Sequence, residues 1–305
     1  MLTRRSVLLA KIETVYGTDP VPVAGDAVLC IDPVVRVDGE LLDRRFVKQN
    51  LSPLTPILGA KSVEVTFAAE LKGSGAAGTA PEIGPLLRAC GMSETIVAST
   101  SVAYAPVSTA FESCTIYVYY DGMLHKVCGC RGTVDVDLAA GQYGLLNFRF
   151  MGLFQIPVDQ AIVSGTFDAT KPVAVAGLGM TIGAYAAIFE RLQLALNNDL
   201  TALKDANTAA VIRQIVITGR RSAGSFNPET VLEATNDFWG DWNSRLEMAL
   251  TALVGSVAGN KVQIDAPKVS YNQIAWGDRD GQRIYDIPFT CAGNAGDDEL
   301  VLTFK

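Results

Sequence analysis

The sequence predicts a mainly β fold with short α-helices, on three observations. Apolar and polar residues alternate over many short stretches, as on a half-buried strand. Twenty-eight glycines punctuate runs rich in β-branched residues. Helical spacing is confined to two brief segments.

The clearest strand and the clearest helix adjoin. Val63, Val65, Phe67 and Ala69 alternate with Glu64, Thr66, Ala68 and Glu70. A glycine loop, Gly73 to Gly78, follows. Thr79 and Glu82 then have the spacing of a capping box, with Pro81 in the first turn. Ile83, Leu86, Leu87 and Cys90 form one apolar stripe, and Gly91 closes the helix.

Taken in order, residues 11–26 read as an extended arm, because Pro20 and Pro22 forbid a helix. Residues 27–37 read as a strand that turns at Asp38-Gly39. Residues 40–60 follow as a long excursion outside the core, so that losing them, or residues 1–26, is expected to leave the fold intact. One strand is expected within 93–108. Hairpins are expected over 114–130, turning at Asp121-Gly122, and over 133–150, turning at Gly141 to Gly144.

Residues 155–175 read as a crossover. Residues 172–189 lack charge, but their glycines favour a linker with a buried strand over a membrane span. Leu192, Leu194 and Leu196 alternate as a strand that ends at Asn197-Asn198-Asp199. Ile215 to Thr218 form another. Phe238, Trp239 and Trp242 are spaced as the apolar face of a short helix. Strands over 246–253, 261–264, 268–274, 283–290 and 299–304 complete the set, with acidic tips at Asp278 to Gly281 and Asp297-Asp298.

Ala223-Gly224-Ser225-Phe226-Asn227-Pro228-Glu229 echoes Ala77-Gly78-Thr79-Ala80-Pro81-Glu82 with one insertion, near half the chain length. Two similar units are therefore expected, 1–155 and 156–305.

Chemistry is sparse. A net charge of −7 opposes tight binding of nucleic acid. The single histidine, His125, has no Gly-x-Ser-x-Gly elbow to serve, and the glycine loop has no Walker lysine. The six cysteines complete no zinc spacing and are expected as reduced thiols. Asp278, Asp280, Asp297 and Asp298 fall short of a calcium loop. No catalytic residue, cofactor or metal is expected.

Four stretches carry a resemblance: Lys11 to Pro20; Glu70 to Pro81 with Pro85 to Gly91; Gly219 to Glu229; and Gly277 to Phe289. Together they resemble the phage tail tube (major tail) protein family of long-tailed phages, over most of the chain. That resemblance implies a β-sandwich or barrel-like module in a structural virion protein, and with the internal echo two such modules per chain are expected. It implies polymerisation into stacked rings that form the tail tube, a conduit for DNA ejection. The chain length leans towards a non-contractile tail.

The implied partners are other copies of the chain in a pseudo-hexameric ring, a trimer in preference to a hexamer. The tape measure protein and double-stranded DNA are expected in the lumen without tight binding. The tail terminator and the distal tail or baseplate proteins are expected at the ends. Assembly is expected in the bacterial host cytoplasm, with no membrane insertion. Contacts between subunits or rings are expected at Tyr16, Asp19, Pro20, Arg44, Arg45, Phe46, Leu51, Pro53, Leu54, Asp278, Arg279 and Asp280. A minor tail or baseplate-hub protein sharing the fold is the alternative.

Overall fold

The computed structural model describes residue 2, residues 4–208 and residues 210–305. Its regular structure is almost wholly antiparallel strand, with two short helices. The first half contains β1 (Ser6–Ile12), β2 (Ala27–Val28), β3 (Cys30–Leu42), β4 (Ile57–Glu70), helix α1 (Gly84–Ala89), β5 (Met92–Val97), β6 (Ser101–Pro106), β7 (Cys114–Tyr120), β8 (Met123–Ala139) and β9 (Leu145–Phe154), and the short β10 (Val158–Asp159) lies just past it in the connection to the second half. The second contains β11 (Thr181–Ile182), β12 (Phe189–Ala195), β13 (Asn198–Lys204), β14 (Ile212–Arg220), β15 (Ala223–Pro228), helix α2 (Phe238–Ser244), β16 (Met248–Val254), β17 (Val262–Tyr271), β18 (Ala275–Arg279), β19 (Gln282–Ala292) and β20 (Val301–Phe304).

The halves share one strand order. In the first, neighbours run β1–β7–β8–β9–β4–β3. In the second they run β11–β16–β17–β19–β15–β12. Chain order matches too, including the helix that follows the second strand of each pair, α1 after β4 and α2 after β15. The long strand β8 is bulged between Cys128 and Arg131. In the second half its role is divided, because β17 and then β18 pair successive parts of β19.

The halves are sewn together twice. Residues Asp135 to Ala139 of β8 pair with Arg191 to Ala195 of β12, and β6 pairs with β20. A single apolar cluster reaches from Leu8 to Phe304.

Local sequence explains much of this. The α1 stripe is buried as expected, with Ile83, Leu86, Leu87 and Cys90 almost without exposure. Each large apolar side chain so buried contributes roughly 1.5–3 kcal/mol. Gly91 has φ +77° and ends the helix.

Several expectations are corrected. Glu82 does not cap α1, which starts two residues later around Pro85. Its carboxylate lies 3.4 Å from the Lys72 ammonium and accepts from the Asp168 N–H at 3.1 Å. Lys72 is buried, and a buried cation without a counter-charge costs several kcal/mol, against about 1 kcal/mol for a cap.

Asp38-Gly39 is no turn. Both lie inside β3 opposite Ser62 and Lys61, because β4 starts early enough to partner them. Residues 93–108 hold a hairpin, β5–β6, in place of one strand. The two expected strands over 124–138 are the single strand β8, and the strand expected at 215–218 is part of the longer β14, which forms a hairpin with β13.

The echo at Ala223 to Glu229 is also corrected. That segment is the strand β15, and the helix expected after it starts at Phe238, capped by Asp237, whose side chain accepts from the Gly240 N–H at 2.7 Å. Gly78 has φ +73°, a backbone shape that favours glycine. Gly224 is extended, and a Cβ there would lie 2.5 Å from both the Gln193 carbonyl and the Phe289 ring. The likeness at 78 and 224 is between a loop glycine and a close-packing one. Strand order, not this motif, is what the halves have in common.

Residues 1–26 are no detachable arm. All seven residues of β1 pair with β7, and Leu8, Leu9 and Ala10 are in the core.

Candidate assembly surfaces

The expected contact residues fall into three groups. Tyr16 and Asp19 are occupied within the chain. The Tyr16 hydroxyl donates to the Gly129 carbonyl at 3.0 Å and accepts from the Ile215 N–H at 2.7 Å, with the Arg131 guanidinium 5.1 Å from its ring. Burial pushes its pKa up to about 12. The Asp19 carboxylate accepts from the Tyr117 hydroxyl and lies 3.4 Å from Lys126, and Pro20 beside it is half-buried.

The second group lies on the 43–56 loop. Arg44, Arg45, Phe46, Leu51 and Pro53 are exposed and Leu54 half-buried. Phe46 is 72% exposed and Leu51 103%. Among the described residues the loop's ion pair is internal, Arg45 with Asp43 at 3.2 Å. Large apolar side chains in such a loop suit a partner surface better than water.

The third group is the β18–β19 tip. Asp278 accepts from the Gly281 N–H, and Asp280 sits at φ +51° in the turn. Arg279 folds back, donating to the Asn227 carbonyl at 2.7 Å and lying 2.8 Å from Glu190.

Three surfaces escaped the sequence reading. One is a polar sheet face that crosses the seam between the halves. Burial of Val65, Phe148, Phe150, Val134, Val136, Leu192, Leu194, Phe226 and Ile287 turns their neighbours the other way. Glu64, Arg149, Asp135, Asp137, Arg191, Gln193, Ser225 and Asp286 therefore share one face. Its charges pair across strands, Arg149 with Glu64 at 3.7 Å and Arg191 with Asp137 at 2.6 Å. Burial raises the Asp135 pKa, while Arg149 pulls it down.

Another is an aromatic cluster. Trp239 and Trp242 on α2 meet edge to face at 6.2 Å, and Trp276 on β18 lies 6.3 Å from Trp239 and 4.9 Å from Tyr285. Phe238 alone of the helix is buried. The expected apolar face thus divides, with one side chain in the core and two tryptophans partly in water.

The last surface is a pair of strand edges. Among the described residues β3 pairs only with β4, and β18 only with β19. Tyr120 covers the start of the β3 edge, donating to the Pro33 carbonyl at 2.8 Å and accepting from the Val35 N–H at 3.1 Å. Beyond it, Val37, Leu41 and Leu42 are exposed.

No group of three or more His, Cys, Asp or Glu placed to hold a metal occurs among the described residues. Their helices include none long and apolar enough to cross a membrane. All six cysteines are free thiols, and burial pushes Cys291 and Cys30 up to about 12.

Residues 3–291 match the model of a family described as phage tail tube protein. The chain belongs to that family. No curated protein matches it. As a tail tube protein it is a structural component of the virion tail, and its β-rich fold agrees with that role. A structural role of that kind rests on surfaces that join copies of the chain.

Proposed function

We propose that the chain polymerises into stacked rings that form the tail tube through which DNA leaves the capsid, with no catalytic role. Each ring contains three chains, and each chain gives two tube modules, 1–155 and 156–305. The observation that carries this is the strand order repeated between the halves, β1–β7–β8–β9–β4–β3 and β11–β16–β17–β19–β15–β12. Three chains with two such units present six equivalent sheets, and closing them leaves no open edge inside the ring.

The polar face across β4, β9, β8, β12, β15 and β19 lines the channel. Its arginines pair with carboxylates of the same face, so they offer DNA phosphates little net attraction. The 43–56 loop reaches a neighbouring ring. The tape measure protein and double-stranded DNA pass through the lumen. The tail terminator and distal tail or baseplate proteins close the ends of a non-contractile tail, assembled in the host cytoplasm.

Electron cryomicroscopy of the purified chain tests this. The expected result is rings or tubes with three chains per ring and six similar modules about the axis. Six chains per ring would overturn the trimer. A monomer at every concentration by sedimentation velocity, with native spectra, would overturn ring formation. Finding only a few copies per particle would favour a minor tail or baseplate-hub protein.

A further inference from the structure

The seam inside the chain is a template for the seam between chains. At the internal seam the outer strand of the second half, β12, lies antiparallel to the distal part of β8 in the first half, with Leu192 opposite Leu138 and Leu194 opposite Val136. In the shared strand order, β12 corresponds to β3. The distal part of β8, which pairs with the start of β9, corresponds to β18, which pairs with the start of β19. Thus β12 and β8 are the two edges already joined, and β3 and β18 are the same two edges left over.

We propose that β3 of one chain pairs antiparallel with β18 of the next, over Arg36–Leu42 and Ala275–Arg279. This rests on the ring reading above and names how the ring closes.

Three observations support a second copy as the occupant. First, the two edges are complementary parts of one seam, so each chain offers one of each. A head-to-tail contact of that kind repeats until the ring shuts. Second, both edges expose apolar side chains: Leu41 is 65% exposed on β3 and Trp276 57% on β18. Long, bare apolar edges are otherwise a liability in a protein kept at high concentration. Third, Tyr120 stops the β3 edge before Arg36, so the free part is about as long as β18 needs. Trp239 beside Trp276 extends the apolar ground next to that edge. Exposed tryptophans clustered in this way suit the centre of a contact.

Cysteine pairs read the contact directly. Arg36→Cys and Asp38→Cys, on the polar face with Glu64, are each combined with Ala275→Cys or Arg279→Cys, on the polar face with Asp286, and oxidised in assembled protein. Directly opposed antiparallel residues have Cα atoms about 4.5–5.5 Å apart, within disulfide reach, whereas a slip of two residues places them beyond it. At least one pair is expected to give covalent dimers and then a covalent trimer on a non-reducing gel. If tubes are visible by microscopy but no pair cross-links, the β3–β18 seam is wrong and the ring reading survives. If microscopy shows no assembly, the ring reading itself fails.

A second variant needs no register. The Val35 N–H faces away from β4, towards Tyr120, so two residues on the Val37 N–H faces the same way. Val37→Pro removes that outward donor and spares the β3–β4 ladder. The variant is expected to keep the wild-type circular dichroism spectrum and to lose rings and tubes. Wild-type tubes from Val37→Pro would overturn the proposal.

Discussion

The 43–56 loop and the β13–β14 hairpin hold the same place in the two halves. Each is inserted between the outer strand and its neighbour, β3 and β4 in one case, β12 and β15 in the other. They meet opposite fates. The hairpin folds back onto the first half, where Ile212 and Ile215 pack against Ala60, and Lys204 lies 2.7 Å from Glu40. The loop keeps almost all of its side chains in water. One insertion finds its site within the chain. The other presents apolar groups with no such site, which is what a contact made only between chains requires. The same contrast separates the joined β8–β12 seam from the bare edges of β3 and β18.

The hairpin side of this contrast should respond most to mutation. Arg131 is 7% exposed and donates to the Ile215 carbonyl at 2.9 Å, the Phe111 carbonyl at 2.7 Å and the Glu112 carbonyl at 3.2 Å. Burial lowers its pKa, yet three carbonyls and the nearby Tyr16 ring hold the cation. Arg131→Ala strands those acceptors and is expected to cost about 3–5 kcal/mol in urea unfolding. A loss below about 1 kcal/mol would mean that the hairpin does not depend on this anchor.

Asn198 is the next anchor. Its side-chain amide donates to the Cys90 carbonyl at 2.6 Å and the Gly132 carbonyl at 2.8 Å, tying the start of β13 to α1 and β8. Asn198→Ala is expected to destabilise by about 2 kcal/mol, because two buried acceptors lose their donors. The double variant with Arg131→Ala should fall short of additivity, since both hold one hairpin.

A smaller effect is expected at the same end of the hairpin, where Arg220 lies opposite Asn198. The Asp297 carboxyl is held below the usual carboxylate range, first by the Ser108 hydroxyl at 2.5 Å and then by Arg220 at 3.0 Å. The pKa of a depressed carboxylate is lower folded than unfolded. Its stabilisation is therefore present above the usual range and lost as pH falls through the folded value. The side chain is 41% exposed, so solvent screening keeps the effect under about 1 kcal/mol. Asp297→Asn should lower stability at neutral pH by up to that amount and leave the acid value nearly unchanged, which flattens the acid limb of stability against pH.

Much of the fold was legible in the sequence because its signals are local. The alternation at Val63 to Ala69, the Asp121-Gly122 turn and the stripe from Ile83 to Cys90 each specify an element without help from elsewhere. The misreadings involve distant partners. Glu82 left its capping place for Lys72, and Gly224 is glycine because Gln193 and Phe289 crowd it. The exposed 43–56 loop could be read from its prolines and length, but the expected excursion over 40–60 wrongly took in the end of β3 and the start of β4. The β3 and β18 edges could not, since an edge is defined by which strands fail to arrive.

The smallest effect on stability should come from the loop, and with it the largest effect on assembly. Leu42 and Ile57 are direct partners in the β3–β4 ladder, so an Asn-Gly turn can replace residues 43–56 and close the hairpin without shifting register. Phe46, Val47 and Leu51 leave no cavity behind, since all three are exposed. Shortening the flexible connection lowers its closure entropy slightly, so the thermal midpoint should stay within a few degrees of wild type or rise. If the loop reaches a neighbouring ring, the variant still closes rings through β3 and β18 but does not stack them, and microscopy shows single rings in place of tubes. Normal tubes would remove the loop from the inter-ring contact. A monomer that neither closes nor stacks would assign it to the ring itself.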